Sequence, residues 1–144
     1  MTGCDGRSLG CVVAIAVLVF KSALAQSGAA ASPTPSDLRA AYEVAFQQTL
    51  EKPADPQTLV TFAELAVQYG DIEGAISALE RLLLLDADQP EVRLELGVLY
   101  FRLRSLEAAR TYLESAIASP SATADVKERA QEFLRAAAEA KRGK

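Results

Sequence analysis

The sequence reads PQTLVTFAELAVQYGDIEGAISALERLLLLDADQ over residues 56–89 and PEVRLELGVLYFRLRSLEAARTYLESAIASPSAT over residues 90–123. When the second stretch is laid over the first at an offset of 34 residues, apolar and small residues coincide. The matched pairs are Pro56 with Pro90, Phe62 with Leu96, Ala63 with Gly97, Leu65 with Leu99, Ile72 with Leu106, Ala75 with Ala109, Leu79 with Leu113 and Leu83 with Ile117. A direct repeat of this length is typical of arrays in which each unit buries its apolar face against the next unit.

Each repeat also carries signals for the ends of two helices. An aspartate or serine before a helix can accept hydrogen bonds from its first free N–H groups, and a proline fits the first helical position. A glycine can take the left-handed conformation that ends a helix. These signals are Asp55-Pro56, Gly70-Asp71, Pro90 and Ser105. They predict helices over residues 56–69, 72–86, 90–103 and 106–118.

Two further helices are predicted on either side of the repeats. Apolar residues at spacings of three and four predict an N-terminal helix that begins at Ser36 or Asp37 and ends before Pro53. Its apolar face consists of Leu38, Ala41, Tyr42, Ala45, Phe46 and Leu50. A last helix, over residues 124–141, has the stripe Val126, Ala130, Phe133, Leu134 and Ala137 and would close the stack as a capping helix. The predicted fold is all-α, with six helices and no strand.

The two repeats resemble the tetratricopeptide repeat family. That family's pattern has an apolar residue and then a small one in the first helix, and small residues where the two helices cross. The sequence supplies Phe62-Ala63 and Leu96-Gly97 for the first feature, and Ala75, Ala109 and Ala116 for the second. It departs from the pattern at Arg104, where the second repeat lacks the usual inter-helix glycine. The resemblance implies an α-solenoid domain over residues 37–141, with Ala63, Ala75, Gly97, Ala109 and Ala116 as its structural small positions.

The resemblance also implies a concave groove, lined by the first helix of each repeat, that binds a protein or peptide. By position in the repeat, the first unit contributes Gln57, Val60, Glu64, Val67 and Gln68, and the second contributes Glu91, Leu94, Val98, Phe101 and Arg102. The last helix would add Asp125, Glu128, Glu132 and Arg135.

The apolar members of this set are expected to form one contiguous strip. They are Val60, Val67, Leu94, Val98 and Phe101. Exposed apolar strips usually mark interaction sites, so we expect an extended or helical apolar segment to dock there. The alternatives are that the helix Asp37–Leu50, or a second copy of the chain in a homo-oligomer, covers the strip.

The first 25 residues have the features of a secretory signal. Arg7 precedes an apolar run from Leu9 to Phe20, and Ala23-Leu24-Ala25 provides small residues for cleavage after Ala25. Lys21 lies close to that point and leaves an uncleaved membrane anchor as the alternative. Residues 26–36, rich in alanine, serine and proline, are expected to form a flexible linker.

Composition argues against catalysis and against nucleic acid as a partner. The chain contains no histidine, and its cysteines, Cys4 and Cys11, lie in the signal segment. No metal site, cofactor or catalytic residue is therefore predicted. The net charge of −4 is unsuited to the phosphate contacts that dominate nucleic-acid binding.

An exported chain with a short repeat array is also similar to the periplasmic N-terminal part of certain proteobacterial outer-membrane proteins. We expect a bacterial periplasmic adaptor or scaffold. The alternatives are a structural spacer with no free groove, or a truncated relative of those β-barrel proteins.

Overall fold

A computed structural model of the protein describes residues 34–143. Six helices occupy this part of the chain: α1 (Pro35–Glu51), α2 (Pro56–Tyr69), α3 (Ile72–Leu85), α4 (Pro90–Arg102), α5 (Leu106–Ala118) and α6 (Ala124–Arg142). No strand occurs within residues 34–143, and the predicted all-α fold is confirmed. The boundaries of α2 to α5 agree with the prediction to within one residue. The predicted signal segment and most of the predicted linker lie outside the described residues.

Each helix packs against the next one in the chain, and α6 also packs against α4. The interior is divided into two hydrophobic clusters. The larger cluster lies among α1, α2, α3 and α4, and includes Leu59, Leu82 and Leu96. The smaller cluster joins α4, α5 and α6 through Leu94, Leu113 and Val126. Each repeat therefore depends on the element that follows it for part of its core.

The small residues lie where the helices come closest. A Cβ atom added to Gly97 would lie 2.5 Å from Cγ of Leu113, a distance that real Cβ atoms do not show. The other predicted small positions, Ala63, Ala75, Ala109 and Ala116, are all buried. Interiors are packed at the density of organic crystals, so these positions leave no room for a larger side chain.

Most of the predicted helix signals act as expected. The Asp55 carboxylate accepts a hydrogen bond from the backbone N–H of Thr58 at 2.8 Å, and Asp71 accepts one from Gly74 at 3.0 Å. Gly70 has a φ of 98°, in the left-handed region that favours glycine.

The turn between α4 and α5 differs from the prediction. Ser105 precedes α5, but its side chain makes no capping hydrogen bond, so the predicted serine cap is wrong. Arg104, at the position equivalent to Gly70, has a φ of 61°. The two repeats therefore turn with a residue in the same left-handed region, although the second has an arginine there at a cost of about 1–2 kcal/mol.

The N-terminal helix begins earlier than predicted, and only part of its predicted apolar face is covered: Ala45 is buried and Tyr42 is half-buried. Thr34 caps it and Pro35 is its first residue, rather than Ser36 or Asp37. Thr49 is buried, with its hydroxyl donating to the backbone oxygen of Phe46, whereas Leu50 is 60% exposed. Because α1 has only α2 as a neighbouring helix, only a narrow stripe of it is covered.

Every helix in the described range is too short or too polar to cross a lipid bilayer.

Candidate protein-binding groove

A groove of about 460 Å³ lies between α2 and α4, with α3 behind it. We call it the α2–α4 groove. Its lining residues are Val60, Ala63, Glu64, Val67, Gln68, Leu79, Glu91, Val92, Glu95 and Leu99. Ligand sites in proteins commonly have volumes of roughly 300–1,000 Å³. The groove is therefore large enough to hold several side chains of another molecule.

The groove exists because the backbones of α2 and α4 lie farther apart than those of α4 and α6. No Cα atom of α2 lies within 8 Å of a Cα atom of α4, whereas α4 and α6 do approach within that distance. The two pairs are equivalent steps along the repeat, since each joins the first helix of one unit to the first helix of the next. We call the first step, without such an approach, open, and the second step, where α6 packs on α4, closed.

The floor of the α2–α4 groove is apolar. Val60 and Val67 project from α2, and Val92 from α4; all three are half-buried. Ala63, Leu79 and Leu99 lie deeper and belong to the larger core cluster. An apolar side chain that enters the groove would therefore contact the hydrophobic core directly.

The predicted apolar strip is divided into two parts. Val60 and Val67 line the groove, but Leu94 is 1% exposed and packs in the smaller cluster beside Val126. Val98 packs against the same cluster, and the Phe101 ring meets Phe133 of α6 edge-on with centroids 5.8 Å apart. The expectation of one open strip is wrong, because α6 packs on α4 and covers its second half.

One alternative was that the N-terminal helix covers the apolar strip. The helix does not cover the part of the strip that lies in the α2–α4 groove. None of the lining residues belongs to α1. Its aromatic side chains contact α2 elsewhere: Tyr42 stacks on Tyr69 at 4.5 Å, and Phe46 lies 5.9 Å from Phe62.

Among the polar residues predicted for the site, only some line the groove. Glu64, Gln68 and Glu91 stand at its rim, together with Glu95, which the repeat positions did not indicate. Gln57 and Arg102 are exposed but are not part of the lining. The same is true of the residues expected from the last helix, Asp125, Glu128, Glu132 and Arg135.

Five lining residues were not among the predicted groove positions, namely Ala63, Leu79, Val92, Glu95 and Leu99. Three of these, Val92, Glu95 and Leu99, recur at spacings of three and four on α4. A helical projection places them on one face. Family positions alone did not show that this face remains uncovered.

A polar cluster behind the groove connects α3 to α4 and α5. One carboxylate oxygen of Glu80 accepts hydrogen bonds from the hydroxyls of Tyr100 at 2.9 Å and Tyr112 at 3.0 Å. The two rings stack with centroids 5.5 Å apart. Burial, and then the Glu80 carboxylate, raise the pKa of Tyr112 to about 12. Both effects favour the protonated phenol, so the Tyr112 hydroxyl remains a hydrogen-bond donor at neutral pH and helps to fix α5 against α3.

Aliphatic side chains make up most of the groove's lining. Its lining has three carboxylates, one carboxamide and six aliphatic side chains, without a hydroxyl, thiol or imidazole. Within residues 34–143, no group of three or more acidic, cysteine or histidine side chains is arranged to hold a metal ion.

Stacked helix–turn–helix units with a groove between successive first helices define a helical repeat protein. A family model described as tetratricopeptide repeat matches residues 62–139, and the chain belongs to this family.

Comparison with solved structures shows the same fold. The crystal structure of MamA aligns with a TM-score of 0.61 at 23% identity, over 72% of this chain and 61% of that chain. This chain thus spans less than two thirds of the MamA chain. The crystal structure of PcrH in complex with the chaperone binding region of PopD aligns with a TM-score of 0.63 at 18% identity, over 95% of this chain and 98% of that chain. No curated protein matches the sequence significantly.

Proposed function

We propose that the protein is a non-catalytic adaptor that holds an apolar segment of another protein in the α2–α4 groove. The observation that carries this proposal is the open step between α2 and α4, with its apolar floor. PcrH, which has the same fold, was crystallised with the chaperone binding region of PopD. That complex supports a bound protein segment as the ligand.

The energy available in the groove is consistent with a protein ligand. Completing the burial of an aliphatic side chain is worth up to about 1.5–3 kcal/mol. Val60, Val67 and Val92 are half-buried, so covering them recovers part of that amount for each. The entropy lost on association offsets part of this free energy. Segments that present several apolar side chains at once are therefore favoured.

Replacing both groove valines of α2 with serine tests the proposal. We expect Val60→Ser combined with Val67→Ser to weaken binding at least tenfold, because the floor loses apolar contacts on one wall. The measurement begins with the full chain on an array of short synthetic peptides rich in leucine, valine and phenylalanine. The best peptide is then titrated by fluorescence polarisation.

The matched control replaces Val44 and Leu84, which are exposed outside the groove, Leu84 to 86%. Val44→Ser with Leu84→Ser should retain the parent affinity, and thermal melting should show that both double variants are folded. Failure of every apolar peptide to bind would overturn the adaptor proposal and favour the alternative of a structural spacer. Equal affinities of a folded groove variant and the parent would place binding elsewhere.

We also propose that residues 1–25 direct export to the periplasm and are removed after Ala25. The support is the sequence pattern alone: Arg7, the apolar run from Leu9 to Phe20, and the small residues Ala23 and Ala25. The intact mass of the protein recovered from cells tests this. Loss of residues 1–25 is the expected result, and retention of Met1 through Ala25 in a membrane fraction would show an uncleaved anchor.

A further inference from the structure

The charged side chains at the rim of the α2–α4 groove are all negative. Glu64 stands on α2, and Glu91 and Glu95 stand on α4 across the groove from it. No lysine or arginine is among the lining residues. An apolar floor between acidic walls favours a ligand that combines apolar and cationic groups.

Two of these carboxylates have no cationic partner among residues 34–143. Neither Glu64 nor Glu91 takes part in an ion pair there. Glu91 lies in the first turn of α4, where a negative charge stabilises the positive end of the helix dipole. Glu64 lies in the middle of α2, so no helix end accounts for its charge.

The third carboxylate, Glu95, already has a cationic partner within the chain. Arg129 of α6 donates a hydrogen bond to Glu95 at 3.4 Å, with both side chains about half exposed. A guanidinium from another element of the chain therefore already contacts the acidic wall of α4.

We infer that the segment held in the α2–α4 groove carries lysine or arginine residues beside its apolar side chains. This inference rests on the proposed binding function and specifies the chemistry of the partner. The apolar side chains lie on Val60, Val67 and Val92, and the flanking cations face Glu64 and Glu91. Complementary charge selects the partner and its register, and like charge excludes acidic segments.

Three synthetic peptides test the inference. They share one leucine–valine–phenylalanine core and differ only in flanking residues, which are lysine, glutamine or glutamate. Exposed ion pairs contribute about 0.2–1 kcal/mol each, so two pairs predict that the lysine peptide binds about two- to thirtyfold more tightly than the glutamine peptide. Its advantage should fall as salt is raised, because screening weakens exposed pairs.

The protein variants complete the test. Glu64→Gln with Glu91→Gln should remove most of the preference for lysine flanks over glutamine flanks. The control, Glu51→Gln with Glu73→Gln, removes the same charge from exposed positions outside the groove and should retain the preference.

The outcomes separate this inference from the proposed function. If all three peptides bind with equal affinity, and Val60→Ser with Val67→Ser weakens that binding, the charge preference is overturned and the groove remains the binding site. A lysine preference that survives Glu64→Gln with Glu91→Gln would also overturn it. Failure of all three peptides to bind the parent would count against the proposed function itself.

Discussion

Replacing Gly97 with valine is expected to destabilise the protein by about 2 kcal/mol or more and to lower its melting temperature by roughly 10 °C. A Cβ atom at this position would lie 2.5 Å from Cγ and 2.7 Å from Cδ2 of Leu113, a residue with no exposed surface. Removing a glycine from a helix interior returns at most about 1 kcal/mol, so the clash outweighs it. Circular dichroism during heating and urea titration measures the effect.

A matched control and a double variant show whether the clash is the cause. Ser77→Val introduces valine at an exposed position of α3 and should cost about 0.5 kcal/mol or less. Gly97→Val combined with Leu113→Ala should lose less than the sum of the single changes, because the alanine makes room for the valine. A loss of 1 kcal/mol in unfolding free energy lowers the melting temperature of a domain of this size by about 4–8 °C. A melting temperature for Gly97→Val within 2 °C of the parent would therefore contradict the close approach of α4 and α5.

Truncating Leu94 to alanine is expected to cost about 2–5 kcal/mol of stability. Leu94 is 1% exposed and belongs to the cluster that joins α4, α5 and α6. The cavity would lie beneath α6, so hydrogen exchange should increase most for the amides of residues 124–142. Urea unfolding gives the loss of stability, and hydrogen exchange with mass spectrometry locates it.

Leu103 provides the control for this substitution. It is 39% exposed, and Leu103→Ala should cost less than about 1 kcal/mol. If Leu94→Ala instead keeps the parent's stability and loses peptide binding, then Leu94 is a surface contact, as its repeat position first suggested.

The fold could be predicted because its determinants are local or periodic. Asp55, Gly70 and Asp71 fix the ends of α2 and α3 through interactions within a few residues. The 34-residue period then transfers the same boundaries to the second repeat. The serine cap at Ser105 failed because that turn places Arg104 in the left-handed region and leaves the Ser105 hydroxyl without a capping contact.

The groove could be predicted only in part, because its openness depends on spacing between helices that are distant in sequence. Position in the repeat identified Val60, Glu64, Val67, Gln68 and Glu91 as residues that line it. It could not show that α6 would pack over Leu94 while the backbones of α2 and α4 stay farther apart. Equivalent positions in the two repeats thus have different environments. The environment depends on whether the first helix of the following unit packs directly against that position.

We propose that the α2–α4 groove is the binding site for an apolar segment of another protein. Amide chemical-shift mapping of the isotope-labelled protein, titrated with the lysine-flanked apolar peptide, locates the site. We expect saturable shifts concentrated in residues 60–68 of α2 and 91–99 of α4, with little change in α1. Shifts confined to the exposed apolar face of α1, around Val44 and Leu50, or the absence of saturable shifts in α2 and α4, would show that the groove is not the binding site.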